Sequence, residues 1–269
     1  MNILRELCDD LGYTNVTNQY IELSARYYEN EHGNESVKDE AKNFNLSISV
    51  LPEGYRARIA RGYLVGVHSS FEKFLCAFKE LPGNPTERVN RYDSRVDKNE
   101  LHWILKACYG NNRPPEVSEY YYICNYYRLT RNYSVHGRNS SSEYRMARAQ
   151  VANLNRSLLK SGMSDNLRAP NGIEALNFDD QVLFSRAARA LAERIFKDST
   201  YDWNEILEKN RSLLKEMTHT VCDNIPKRNK KIINYLAQTY PAKNQPELVA
   251  VICAIICMGP SSTAEHPPS

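Results

Sequence analysis

A repeating three-and-four spacing of apolar residues between positions 59 and 78 is the strongest structural signal in the chain. This spacing places the apolar side chains on one face of a helix with 3.6 residues per turn. The face consists of Ile59, Tyr63, Leu64, Val67, Phe71, Phe74, Leu75 and Phe78. We therefore expect one long amphipathic helix here, ended by Pro82, Gly83 and Pro85.

Helix signals recur along the rest of the chain, and no segment shows the alternation that is typical of a strand. Pro115, with acidic residues in the turn that follows, begins a helix that ends near Val135 and is capped by Gly137. Ser140 and Glu143 have the spacing of a capping box for the next helix. The other predicted helices lie at 101–109, 142–160, 178–197, 203–221, 229–240 and 246–258. The predicted fold is an all-α helical bundle with additional terminal helices.

The composition along the chain suggests four segments. Residues 1–50 are polar, and we interpret them as an N-terminal extension of one or two modest helices. Residues 51–200 carry the main helical domain, and residues 201–258 form a C-terminal helical extension. Residues 259–269, with three prolines and three serines, are predicted to be a disordered tail.

Composition and motifs exclude several classes of protein. The longest apolar run, at 248–258, is too short to cross a bilayer, and the amino terminus lacks the pattern of a secretory signal. We therefore expect a cytoplasmic protein without a membrane partner. Seven cysteines at irregular spacing favour reduced thiols over a disulfide framework. Glycine-rich phosphate loops, nucleophile elbows and metal-binding patterns are missing, so no cofactor and no metal are predicted.

Tyrosine is the aromatic residue in excess, with 18 copies against 7 phenylalanines and 2 tryptophans. Six of the tyrosines lie between Tyr120 and Tyr133, within the predicted helix that ends near Val135. Tyrosine combines an apolar ring with a hydroxyl that needs a partner. We therefore interpret this helix as lining a semi-wet interface or a nucleotide-binding cleft rather than a dry core.

Arg131 shares a face of this helix with apolar side chains. At about 100° per residue, Cys124, Tyr127 and Arg131 fall within about 60° of one another. Because a guanidinium keeps its charge, it must meet a carboxylate, carbonyl oxygens or an anionic ligand in such a place. His136 lies where Gly137 is expected to unwind the helix, which frees the imidazole to turn towards Arg131.

An arginine and a histidine in one desolvated cleft fit a phosphate group. The arginine binds the phosphate and stabilises charge in the transition state, and the histidine transfers protons near neutral pH. With no metal ligands in the pattern, the reaction best served is attack of a ribose 2′-hydroxyl on its own phosphodiester. This reaction cleaves RNA and spares DNA.

The sequence Arg131-Asn132-x-x-x-His136-Gly137 resembles the R-x4–6-H motif of the HEPN (higher eukaryotes and prokaryotes nucleotide-binding) superfamily, within residues 51–200. Members are all-α bundles, and many are metal-independent endoribonucleases of toxin and antiphage-defence systems. The resemblance implies that Arg131 and His136 are catalytic and that Asn132 orients the histidine or contacts phosphate. It also implies an RNA substrate, a composite site in a homodimer, and an antitoxin or regulatory partner protein.

Further residues are assigned around this motif. Related HEPN proteins place a polar residue of the long helix near the cleft, which makes Glu72 a candidate supporting residue; otherwise it forms a boundary pair with His68. One HEPN subgroup carries a tyrosine two residues after the histidine, and Arg138 at that position argues against the subgroup. The candidate RNA-binding cations are Arg138, Arg145, Lys227, Arg228, Lys230 and Lys231.

Two other interpretations stay open. The chain could be a HEPN-like module that binds nucleotide, RNA or a partner protein without cleavage. It could also be a structural interaction protein, in which Arg131 pairs with an acid such as Glu72 and His136 complements the helix dipole.

Overall fold

The protein is described from a computed structural model. The structure describes residues 2–32, 37–48, 53–93, 99–136, 141–154, 167–221, 224–241, 248 and 252. Within these residues it contains ten α-helices and no strand, which confirms the predicted all-α fold class. None of the described helices is both long enough and apolar enough to cross a membrane.

The helices are numbered in chain order. They are α1 (Ile3–His32), α2 (Val37–Asn43), α3 (Tyr55–Glu80), α4 (Glu100–Tyr109), α5 (Pro115–His136), α6 (Ser141–Ala152), α7 (Phe178–Asp198), α8 (Trp203–Lys209), α9 (Arg211–Thr218) and α10 (Ile225–Leu236). Short 3₁₀ segments cover Pro85–Arg88, Ile173–Ala175 and His219–Val221. The predicted helices at 59–78, 101–109 and 178–197 are confirmed, with ends that differ by a few residues.

Three predicted helices were wrong in extent. The N-terminal region forms two helices, but the first of them has 30 residues and is not the modest helix that was predicted. The helix predicted at 203–221 is broken at Asn210, whose side-chain amide donates to Ile206 O at 2.7 Å and ends α8. The helix predicted at 229–240 begins at Ile225 because the Asn224 side chain accepts a hydrogen bond from Lys227 N at 3.0 Å.

Several predicted features lie outside the described residues. These are the Gly137 cap, the Ser140 end of the capping box, the last part of the helix at 142–160, most of the helix at 246–258, and the tail at 259–269.

The chain forms two compact units. The first unit combines residues 4–75 and 112–194, and the second combines residues 1–3, 76–111 and 195–269. This division differs from the predicted boundaries at 50, 200 and 258, which stay a prediction.

The core of the first unit is built from α3, α5 and α7. The apolar face predicted for α3 is buried apart from Ile59, which is half-buried. In this unit the ring of Tyr127 on α5 lies 5.2 Å from the ring of Phe184 on α7, in a stacked arrangement. α5, the helix that carries the Arg131 motif, also packs along α6, where the ring of Tyr126 lies 5.7 Å from that of Tyr144.

In the second unit, Gly83 lies close to the segment that begins α8. Asp202 N donates a hydrogen bond to Gly83 O at 2.7 Å, and Gly83 adopts a left-handed φ of 68°. A Cβ atom at this position would lie 2.5 Å from Asp202 O. Glycine is therefore required here both for its backbone conformation and for the space it leaves.

Candidate functional site

The tyrosines of α5 lie deeper in the protein than the sequence suggested. Tyr121, Tyr126 and Tyr127 are buried, so the interpretation of a semi-wet surface is wrong for these three. Tyr126 and Tyr127 can be buried because their hydroxyls form hydrogen bonds within the chain. The Tyr127 hydroxyl donates to Asp180 Oδ1 at 2.8 Å, and the Tyr126 hydroxyl donates to Asn171 O.

Asp180 is a buried carboxylate at the start of α7 that accepts four hydrogen bonds. Its Oδ1 atom accepts from the Tyr127 hydroxyl and from Asn171 N, both at 2.8 Å. Its Oδ2 atom accepts from Asn171 Nδ2 and from Asn177 N, both at 2.9 Å. Burial, together with the charge of Asp180, raises the pKa of Tyr127 well above its usual value. This set of bonds fixes the start of α7 against α5.

Arg131 is half-buried on the next turns of α5. Its Nη1 atom donates to Asn132 Oδ1 at 3.0 Å. Its Nε atom is buried and has no hydrogen-bond partner in the part of the chain that the structure describes. Within the same residues no carboxylate forms an ion pair with Arg131. The guanidinium therefore keeps both charge and a donor that a bound anion can use.

His68 on α3 is a buried imidazole whose pKa is affected by the charge of Arg131. Its Nδ1 atom lies 3.1 Å from Glu72 Oε2, while the Glu72 side chain remains 57% exposed. Burial lowers the pKa of His68, and the charges of Arg131 and Arg128 lower it further, against the opposing effect of Glu72. We call Arg131, Asn132, His68 and Glu72 the Arg131 cluster: Asn132 bonds Arg131, Glu72 contacts His68, and the charge of Arg131 acts on His68.

Arg128 belongs to this cluster, although we did not predict it from the sequence. Its Nε and Nη2 atoms donate to Asn125 Oδ1 at 3.1 and 2.9 Å. Arg128 precedes Arg131 by three residues on α5, and residues with this spacing are neighbours on a helix surface. That spacing was the signal available in the sequence.

Two of the predicted residues cannot be compared with this cluster. His136 is the last residue of α5, but its side chain, like the whole of Arg138, lies outside what the structure describes. The pairing of Arg131 with His136 stays a prediction. Arg145 is exposed on α6 in the same unit.

The basic run occupies the first turns of α10, in the second unit. Lys227 and Lys230 are exposed. Lys231 is exposed too, and its Nζ atom donates to Met217 O at 2.5 Å. Arg228 is buried, so it does not belong to the charged surface that the sequence suggested.

Comparison of the chain with known protein families, curated proteins and solved structures finds no match. Among the described residues there is also no group of three or more histidine, cysteine, aspartate or glutamate side chains arranged to bind a metal ion.

Proposed function

We propose that this chain is a metal-independent endoribonuclease that cleaves RNA by 2′-hydroxyl transesterification and acts as a toxin or antiphage-defence effector. The observation that carries the proposal is the state of Arg131. Its guanidinium is half-buried, pairs with no carboxylate among the described residues, and has a buried Nε atom without a partner. An arginine in this state favours a phosphate, whose oxygens accept from a planar guanidinium.

In the proposed reaction His136 transfers the protons and Arg131 stabilises the charge. A base removes the proton of the ribose 2′-hydroxyl, and the 2′-oxygen attacks the adjacent phosphorus. The bond from phosphorus to the 5′-oxygen then breaks, and that oxygen takes up a proton. The products are a 2′,3′-cyclic phosphate and a 5′-hydroxyl end. Negative charge that builds on the phosphate oxygens is met by the Arg131 guanidinium.

The residues around Arg131 position its guanidinium without neutralising its charge. Asn132 accepts from Arg131 Nη1, which supports a role in positioning the guanidinium. Glu72 contacts His68 at 3.1 Å, and no carboxylate among the described residues forms an ion pair with Arg131. We further propose that two copies of the motif share one cleft in a homodimer, with an antitoxin or regulatory protein as a partner.

The test is cleavage of transfer RNA or a structured transcript by the purified chain in the presence of EDTA. We expect cleavage to persist and to leave 2′,3′-cyclic phosphate ends. Arg131→Ala and His136→Ala should each reduce the rate by about 100-fold or more, which is the usual loss when a charge-stabilising donor is removed. Arg189→Ala and His219→Ala, at exposed positions on other helices, serve as matched controls and should cleave normally.

Undiminished cleavage by the Arg131→Ala/His136→Ala double variant would refute the proposal, and so would loss of all cleavage in EDTA. RNA binding without any cleavage by the wild-type chain would favour the alternative of a non-catalytic binding module. Circular dichroism on each variant separates loss of activity from loss of fold.

A further inference from the structure

Helix α1 carries a row of large apolar side chains that point away from the rest of its unit. These side chains are between 65% and 79% exposed, and we call them the α1 stripe: Tyr13, Val16, Tyr20, Leu23 and Tyr27. The residues are spaced by three, four, three and four positions. This is the spacing of the a and d positions of a heptad, which lie along one seam of a helix.

The side of α1 that packs on its own unit lies elsewhere on the helix. Leu7 and Leu11 are buried there. Further along the same helix, the carboxylates of Glu22 and Glu29 bind the guanidinium of Arg56 on α3, at 3.4 Å and 2.9 Å. An ordinary surface helix buries its apolar side and exposes its charges. Here part of the charge faces inward and the apolar stripe faces outward, which marks an interaction surface.

The charges that flank the stripe favour an identical helix as the partner. With Tyr13, Tyr20 and Tyr27 at a positions, Arg26 takes a g position and Glu31 the following e position. In a parallel pair of helices, g on one chain meets the next e on the other, so Arg26 faces Glu31 of the second copy. Within its own helix, Arg26 Nε donates to Glu22 Oε1 at 2.8 Å, and its exposed guanidinium has further N–H donors for the Glu31 carboxylate. The other g and e positions beside the stripe are occupied by Gly12, Thr17, Gln19 and Ser24. None of these residues is charged, so no like charges oppose each other across the pair.

The size of the stripe also suits such a pair. It runs for about 20 Å along the helix axis, from the rise of about 1.5 Å per residue. Three tyrosines with a valine and a leucine bring on the order of 600 Å² of exposed surface per chain. This approaches the roughly 800 Å² per partner of a standard interface. Because α1 is already folded onto its unit, pairing does not have to order a free peptide.

We infer that the α1 stripe is the surface through which two copies of this chain associate, as a short parallel two-helix seam. The inference rests on the stripe alone and is independent of the proposed nuclease activity.

The first test measures the mass of the full chain by sedimentation velocity and light scattering at tens of micromolar. We expect the mass of two chains for the wild type and of one chain for Tyr20→Glu/Leu23→Glu, with dimerisation weakened at least tenfold. Leu213→Glu, which changes an exposed leucine of α9, is the matched control and should remain dimeric. Circular dichroism should show the same helical content for all three proteins.

The second test reverses the charges beside the stripe. Arg26→Glu and Glu31→Arg should each weaken dimerisation, because each places like charges opposite one another across the seam. The combined variant should recover wild-type affinity at low salt, since the opposite charges meet again with their order exchanged.

Each result has a defined consequence. A monomeric wild type, or a dimer that survives Tyr20→Glu/Leu23→Glu, would overturn the inference. If the combined charge-reversal variant does not recover the wild-type affinity of dimerisation, the parallel register is wrong. Cleavage of RNA is assayed separately on the same proteins: cleavage without dimerisation through α1 overturns this inference alone, and a dimer that does not cleave overturns the nuclease alone. A monomeric wild type would also contradict the shared cleft of the proposed homodimer.

Discussion

At the scale of single residues, the pKa of His68 depends on the charges of Arg131, Arg128 and Glu72. Burial disfavours the imidazolium, and Arg131 and Arg128 repel it, while only Glu72 attracts it. The Glu72 side chain is more than half exposed, so solvent screens its attraction. The lowered pKa of His68 is therefore the sum of desolvation and two nearby cations, outweighing one screened carboxylate.

This predicts a pH dependence of stability that belongs to His68. The imidazole has a reference pKa of 6.5 in the unfolded chain and a lower pKa when folded. Below the reference value the unfolded state binds a proton that the folded state resists, so the free energy of unfolding falls as the pH falls towards the folded pKa. Above it both states are neutral, and this contribution to the pH dependence disappears.

Urea unfolding of the wild type and His68→Gln, at pH values above and below the reference pKa, measures this effect. The wild type should lose more stability on acidification than His68→Gln. His219→Gln, at an exposed histidine in the second unit, should behave like the wild type. An equal loss in wild type and His68→Gln would contradict the prediction.

Among the helices, local side chains decide where each one begins and ends. Asn224 begins α10 and Asn210 ends α8 through hydrogen bonds made within their own turns. Gly83 differs from these caps, because the reason for a glycine there lies in a distant segment. Its missing Cβ leaves room for Asp202 O and for Ile206 Cγ1.

We therefore predict different costs for alanine at two left-handed glycines. Gly54 has a φ of 70°, and a Cβ atom there would have nothing within 4 Å, so Gly54→Ala should cost only about 1 kcal/mol of backbone strain. Gly83→Ala adds a clash with backbone and should cost about 2 kcal/mol more. Denaturant unfolding of the two variants measures the difference. Equal losses would show that the approach to Asp202 does not constrain the chain.

Across the whole molecule, the charge is almost balanced. The net charge is +3, from 35 basic and 32 acidic residues, so the protein as a whole exerts little attraction on RNA. If the chain binds RNA as proposed, the affinity would come from local cations. The exposed lysines of α10 are predicted to supply part of it, in a different unit from Arg131.

Salt titration of RNA binding tests this prediction. Lys227→Ala/Lys230→Ala should reduce the slope of log affinity against log salt by about 1.4, since each lost phosphate contact on single-stranded RNA changes the slope by about 0.7. The cleavage rate at saturating RNA should not change. Lys106→Ala/Lys215→Ala removes two other exposed lysines and should keep the wild-type slope. Identical slopes for both double variants would remove the α10 lysines from the RNA-binding surface.

Signals within the sequence set the helices and their order. Apolar spacing, prolines and capping side chains act within a few residues, so α3 and α7 could be predicted from the sequence with nearly their observed extent. The sequence also identified Arg131 as a charge on a largely buried helix, because helix geometry fixes which residues share a face.

Only the tertiary packing determines which neighbouring element covers each face of a helix. Packing of α5 against α6 covered Tyr126, and packing against α7 buried Tyr127 and paired its hydroxyl with Asp180. The tertiary fold also placed His68 where the charge of Arg131 affects its pKa, and no described neighbour covers the α1 stripe. A helix carries its side chains at fixed angles, but burial depends on the neighbour that covers each face. That neighbour is distant in sequence, so local periodicity does not encode it.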